Sequence, residues 1–131
     1  MHRVTADGAP IQGELQVQIM NVVWRAGGGT VEEIRGGLPP SYRGAYTTVQ
    51  TVLNRLGERG LLLREKRGIA MHYTPAASEA EYLSQTLRRA LAGASREARA
   101  HALASLLGDF DSAELSELQD RARRAAELEH P

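Results

Sequence analysis

The chain has 131 residues, 42% hydrophobic and 24% charged, which suits one ordinary domain, or a small domain with an appendage, and excludes a wholly disordered chain. No apolar run approaches the ~20 residues of a membrane helix, and residues 1–8 carry no apolar stretch of the kind a secretory signal needs. The absence of cysteine excludes disulfides, thiolate catalysis and thiolate-held metals, and fits a cytoplasmic protein. Sixteen basic residues balance sixteen acidic ones, but unevenly: net −1 over residues 1–40, +4 over 41–75 and −3 over 76–131. That distribution points to a local anion site in the middle of the chain.

Residues 1–11 show no period and read as a flexible tail. From Gln12 to Arg25, Leu15, Ile19, Val22 and Val23 recur at helical spacing, widened by Met20 and Trp24, which predicts a first amphipathic helix. Gly27-Gly28-Gly29 ends it as a flexible turn. Thr30-Val31-Glu32-Glu33 is a capping-box pattern opening a short second helix with Val31, Ile34 and Leu38 apolar, and Pro39-Pro40 forbids its continuation. After a turn over 41–45, Val49, Val52, Leu53 and Leu56 predict a third helix from Tyr46 to Arg59, closed by Gly60. Leu61 to Arg64 reads as a strand and Arg64-Glu65-Lys66-Arg67-Gly68 as a charged turn. Ile69, Met71 and Tyr73 then alternate as a second strand stopped by Pro75. The tip of this hairpin is placed at Lys66-Arg67-Gly68.

Ser78-Glu79-Ala80-Glu81 is another capping box, leading a helix with Tyr82, Leu83, Leu87, Ala90 and Leu91 on one side. A further helix is expected over 96–107, and a last one capped by Asp111. The fold class expected is therefore mainly α with a small β-hairpin wing. It divides into a tail (1–11), a winged helix-turn-helix domain (12–75) and a C-terminal helical region (76–131). The alanine- and leucine-rich helices of that last region are short and narrow-striped, marginal alone. They are expected to pack on each other or on a second copy of the chain. Their candidate dimer contacts are Tyr82, Leu83, Leu87, Leu91, Leu103, Leu106, Leu107, Phe110, Leu115 and Leu118.

Three helices followed by a hairpin suit a protein that lays its third helix in the DNA major groove and its wing over the backbone. On a helical wheel Thr47, Thr51, Asn54 and Glu58 lie opposite the apolar stripe, flanked by Gln50, Thr48 and Arg55. Thr methyls can touch a thymine methyl, and Arg can pair with guanine. The first turn, Tyr46-Thr47-Thr48, presents backbone N–H groups suited to a phosphate oxygen. Arg43 before it, and Arg64, Lys66 and Arg67 in the wing, can neutralise further phosphates.

The stretches Leu15 to Trp24, Tyr46 to Leu56, Glu58 to Leu62, Arg64 to Gly68 and Tyr73-Thr74-Pro75 closely resemble the penicillinase repressor (BlaI/MecI) family, whose DNA-binding half the CopY-type copper-responsive repressors share. The resemblance covers roughly residues 12–128 and is diffuse after Pro75. It implies a homodimeric transcriptional repressor reading an inverted repeat in double-stranded DNA, controlling β-lactam-resistance or related genes. It also implies a DNA surface of Arg43, Tyr46, Thr47, Thr48, Thr51 and Arg55, with Arg67 a wing contact. In the family a membrane sensor with a zinc protease domain relieves repression by cutting just before a phenylalanine. The matching place is Asp109-Phe110, where family members commonly have Asn before the Phe. The Cys-x-Cys pairs of the copper-responsive branch are absent.

No cofactor, metal site or membrane insertion is expected. His2, His72, His101 and His130 are scattered, and Glu97 with His101 is a chance pair on an acidic helix. Gly27-Gly28-Gly29-Thr30 lacks the Gly-Lys-Ser/Thr ending of a P-loop. No serine has a Gly-x-Ser-x-Gly context, so no enzyme is expected. Two other readings stay open: a winged protein-interaction module, and a regulator whose helices bind a small effector in a cavity near Tyr82 and Leu87.

Overall fold

A computed structural model describes Ile11 and residues 13–129. The rest of the expected tail, the helix start at Gln12, and His2 and His130 lie outside the described residues. The element order is α1 (Glu14–Ala26), α2 (Val31–Gly37), a 3₁₀ turn (Pro40–Tyr42), α3 (Tyr46–Glu58), β1 (Leu62–Arg67), β2 (Ala70–Pro75), α4 (Glu79–Ala92), α5 (Arg96–Leu107) and α6 (Ser112–Glu129). Three helices followed by an antiparallel hairpin form a winged helix-turn-helix. Among the described residues no helix is long and apolar enough to cross a membrane.

The apolar stripes predicted from the period are the ones that fill the core. Ile19, Met20, Val22 and Val23 of α1, Val31 and Ile34 of α2, and Val49, Leu53 and Leu56 of α3 are all buried, with Leu38, Leu61, Leu62 and Tyr73. Local signals set the helix ends. Gly27 takes the left-handed conformation (φ 81°) and its N–H donates to the Val23 carbonyl at 2.8 Å, which closes α1. Thr30 accepts from the Glu33 N–H at 3.2 Å, and Glu33 accepts from the Thr30 N–H at 2.9 Å, so the capping box forms as predicted. The bond from the Thr30 backbone is the main reason that the Glu33 carboxyl titrates below its ordinary value.

The glycine run has a second role that its sequence hid. Gly29 and Tyr73 exchange backbone bonds of 2.9 and 2.8 Å, an isolated antiparallel bridge that ties the α1–α2 connection to β2. Gly28 beside it has φ 127°, and a Cβ there would stand 2.6 Å from the Tyr73 carbonyl oxygen. Only glycine meets both demands, so the run is a pinned bridge rather than a flexible turn.

The hairpin is longer than predicted. Its register runs from Leu62↔Pro75 to Arg67↔Ala70, which leaves Gly68 and Ile69 as the two-residue tip. The predicted charged turn, and the tip at Lys66-Arg67-Gly68, are therefore corrected: Arg64, Glu65, Lys66 and Arg67 are strand residues. Gly68 has φ 63° and Ile69 does not share a positive φ, the pattern of a type II′ hairpin turn. Beyond Leu62 every β1 side chain is exposed, so no apolar alternation marks the strand.

Chain contacts divide the described residues into two compact units, the boundary falling between Ala92 and Gly93. The first unit includes α4. Tyr82 of α4 stacks at a tilt on Trp24, ring centroids 5.6 Å apart, and its hydroxyl accepts from the Ile11 N–H at 2.9 Å. The Trp24 indole N–H donates to the Ala77 carbonyl at 3.0 Å. Ser78 and Glu81 form the predicted capping box. In the second unit Ser95 caps α5, and Asp111 caps α6 in a reciprocal pair with Glu114. No described residue after Tyr73 is buried.

Candidate nucleic-acid interface

The interface candidate starts from α3. Its 3.6-residue repeat puts Val49, Leu53 and Leu56 in the core. Tyr46, Thr47, Thr48, Thr51 and Arg55 are consequently left exposed, as one stripe along the helix. The start of α3 has no side-chain cap, so the first-turn N–H groups of Tyr46 and Thr47 have no intrahelical partner. The Thr51 hydroxyl donates to the Thr47 carbonyl at 2.8 Å, which fixes its rotamer and leaves its lone pairs to accept. Arg55 has no partner among the described residues.

The turn before α3 is held from behind by two arginines. The Arg35 Nε donates to the Gly44 carbonyl at 2.7 Å. Arg43, predicted as a phosphate contact, donates through one terminal nitrogen to the Gly36 and Leu38 carbonyls at 3.2 and 2.8 Å. Those bonds satisfy the open end of α2 and leave Nε and the other terminal nitrogen without a partner among the described residues.

The wing meets α3 through Asn54, which the wheel placed on the outward face. Its Oδ1 accepts from the Tyr73 hydroxyl at 2.7 Å and from an Arg64 terminal nitrogen at 3.3 Å. The Tyr73 ring is 1% exposed, and burial pushes its hydroxyl above the ordinary tyrosine value, which keeps the proton on the donor. Arg64 crosses α3 at Gly57, where a Cβ would stand 3.1 Å from the arginine Cδ and Nε. A Cβ there would require the exposed arginine to shift by a few tenths of an ångström, and the glycine that leaves the crossing open costs the helix about 1 kcal/mol relative to alanine. Asn54 thus belongs to the joint between helix and wing. Sequence reasoning missed the joint; its available signal was a buried tyrosine hydroxyl, which needs a partner.

Farther out, Arg67 pairs with Glu65 at 3.0 Å with both side chains more than half exposed, a contact worth little in water. Lys66 has no partner among the described residues. The structure therefore brings Arg64 against α3, sets Lys66 and Arg67 on the outer part of the wing, and turns Arg43 partly inward.

The remaining predicted residues separate by unit. In the first, Tyr82 is engaged with Trp24 and Ile11, Leu91 is half-buried, and Leu83 and Leu87 are exposed. In the second, Leu115 is half-buried and Leu103, Leu106, Leu107, Phe110 and Leu118 are exposed. Asp109 and Phe110 sit in the exposed turn between α5 and α6. Among the described residues no three His, Asp or Glu side chains gather as a metal site would require.

Comparison with known proteins bears on this geometry. The model of the family described as penicillinase repressor matches residues 12–124. A penicillinase repressor of Bacillus licheniformis is 28% identical over 74 residues, 56% of this chain and 58% of that protein, so the match spans little more than half of the relative's length. The solved DNA-binding domain of the repressor BlaI is 27% identical over 63% of this chain and 94% of that chain, with a TM-score of 0.50. A CopR repressor structure, 34% identical, covers 49% of this chain and 90% of its own, at a TM-score of 0.43.

Proposed function

This chain belongs to the penicillinase repressor family, and from that premise we propose that it is a DNA-binding transcriptional repressor. It acts as a homodimer on an inverted repeat in double-stranded DNA, in the cytoplasm. The observation that carries the reading is the exposed α3 stripe of Tyr46, Thr47, Thr48, Thr51 and Arg55, continued by the Arg64 that the wing lays across α3. The three threonines and the two arginines are small, polar or cationic, as a major-groove reader requires. A protein-docking face would instead offer large apolar anchors.

In this reading α3 lies in the major groove. Arg55 pairs with a guanine edge, and the threonine methyls meet thymine methyls. The open N-terminus of α3 takes a phosphate. Arg64, Lys66 and Arg67, with the Arg43 nitrogens that the α2 carbonyls do not take, neutralise neighbouring phosphates. The exposed leucines of α4 (Leu83, Leu87), those of the second unit and Phe110 provide the contacts of the dimer. Two winged domains then read half-sites one helical turn, or a multiple of it, apart. The exposed turn at Asp109-Phe110 is the place where a sensor protease would cut to relieve repression, separating the last helix from the rest.

Arg55→Ala should lower affinity for the preferred sequence by about 1–3 kcal/mol while leaving non-specific binding nearly intact. Arg67→Ala should weaken both, and reduce the salt slope by about one. Salt titrations on specific and random duplexes measure both effects; equal loss of both kinds of binding in both variants contradicts the division of roles. The test of the whole reading is selection of bound duplexes from a random DNA library. Enrichment of an inverted repeat is the expected result. No enrichment by folded protein at low and moderate salt overturns it in favour of an interaction module.

A further inference from the structure

The wing ends in a residue that its own fold does not explain. Ile69 is 101% exposed, so it packs on nothing among the described residues. It occupies the second position of a two-residue hairpin turn, next to Gly68 with φ 63°. Turns favour Gly, Asn, Asp, Ser and Pro for local hydrogen bonding or backbone reasons, and isoleucine supplies neither. Next to it stand Lys66 and Arg67, both exposed, in a segment where residues 41–75 hold six basic side chains against two acidic ones. An apolar tip flanked by cations fits a partner with apolar walls between two rows of anions. The DNA minor groove has that form, with deoxyribose walls edged by phosphates.

The wing extends past α3. Arg64, the third residue of β1, meets α3 at Asn54 and Gly57, and the strand continues to Arg67, about 10 Å farther at the rise of a strand, before the turn at Gly68-Ile69. The tip is therefore the part of the wing free to reach a groove next to the one that α3 occupies.

We infer that Ile69 is a DNA-contacting residue, an apolar wedge that enters the minor groove flanking each half-site and packs on the deoxyribose walls. The inference rests on the repressor reading above. It assigns affinity to an uncharged residue, where charge alone would credit only the basic ones. Apolar side chains inserted in this groove widen or kink it at flexible steps, so Ile69 also favours deformable flanking sequence.

The test is Ile69→Asn in the full chain, on the inverted repeat obtained from the selection experiment. Asparagine is a better turn residue, so the melting temperature should stay the same or rise. Affinity should fall about tenfold, the worth of one buried aliphatic side chain. The salt slope should not change, since no phosphate contact is lost. Hydroxyl-radical footprinting, which reads deoxyribose exposure in the minor groove, should lose the flanking protections and keep the central ones. A footprint and affinity identical to wild type overturn the inference and leave the repressor reading standing. No footprint by the wild-type protein overturns both. If Ile69→Asn instead changes the sedimentation of the DNA-free protein, a second copy covers the tip and the minor-groove assignment is wrong.

Discussion

The two compact units use the same local grammar and reach different ends. Helices α2 and α4 in the first open on reciprocal capping boxes, and α6 in the second opens on one as well, while α5 has a capping serine. Yet the buried hydrophobic side chains among the described residues all lie between Ile19 and Tyr73. Caps and propensity are enough to specify where a helix starts, but burial decides whether it has somewhere to go. The stripe of α3 meets α1, α2 and the wing. The leucines of α5 and α6 remain largely in solvent, which is why the proposed function assigns them to a second copy of the chain.

The largest effect expected from this contrast comes from trimming the same residue type in each unit. Leu53→Ala, at a fully buried position, should cost about 3 kcal/mol in urea unfolding, whatever the protein concentration. Leu106→Ala, half exposed in the single chain, should instead act through dimer dissociation, with its cost growing as the protein is diluted. Equal, concentration-independent losses would erase the distinction between a core half and a coreless half.

A smaller effect tests the bridge that closes the first unit. Gly28→Ala meets both the positive φ and the 2.6 Å approach to the Tyr73 carbonyl, and should cost about 2 kcal/mol. The same change at Gly93, where an added Cβ would meet nothing within 4 Å, should be nearly silent; urea unfolding of both variants checks this. The smallest effect is one of pH. The Glu33 and Glu81 carboxyls are held below their ordinary value, chiefly by the backbone N–H of Thr30 and Ser78. A depressed carboxyl contributes stability that is intact above the ordinary glutamate range and fades as pH falls through the folded value. Acid titration of melting temperature should therefore show a modest loss in that window, and Glu33→Gln should reduce it.

Legibility in the sequence follows the same divide between local and distant causes. Helix positions, the capping boxes at Thr30, Ser78 and Asp111, and the core stripes of α1 to α3 were all readable, because period and capping are properties of neighbouring residues. Most of what escaped reading depends on partners outside a residue's own element. The Gly27 to Gly29 run reads as a loose turn until Tyr73 arrives to bridge it. Asn54 reads as an outward polar residue until the wing lands on it. Arg43 reads as a free cation until the carbonyls at the end of α2 claim one of its nitrogens. The wing was predicted short because both faces of its outer part are wet, so the alternation that reveals a strand was missing. The candidate interface was readable as a set of residues, since it is what remains of α3 once the core stripe is removed. Its joint to the wing was not.

In the proposed function the core-bearing unit reads DNA and a second copy of the chain covers the exposed leucines of the other unit. Sedimentation equilibrium of the full chain across a range of concentrations, with wild type beside Leu106→Asp, decides whether the second copy is there. The expected result is a reversible association to twice the chain mass, shifted strongly toward monomer in the variant. A wild-type chain that stays monomeric throughout, with its helical content intact by circular dichroism, rules the second copy out.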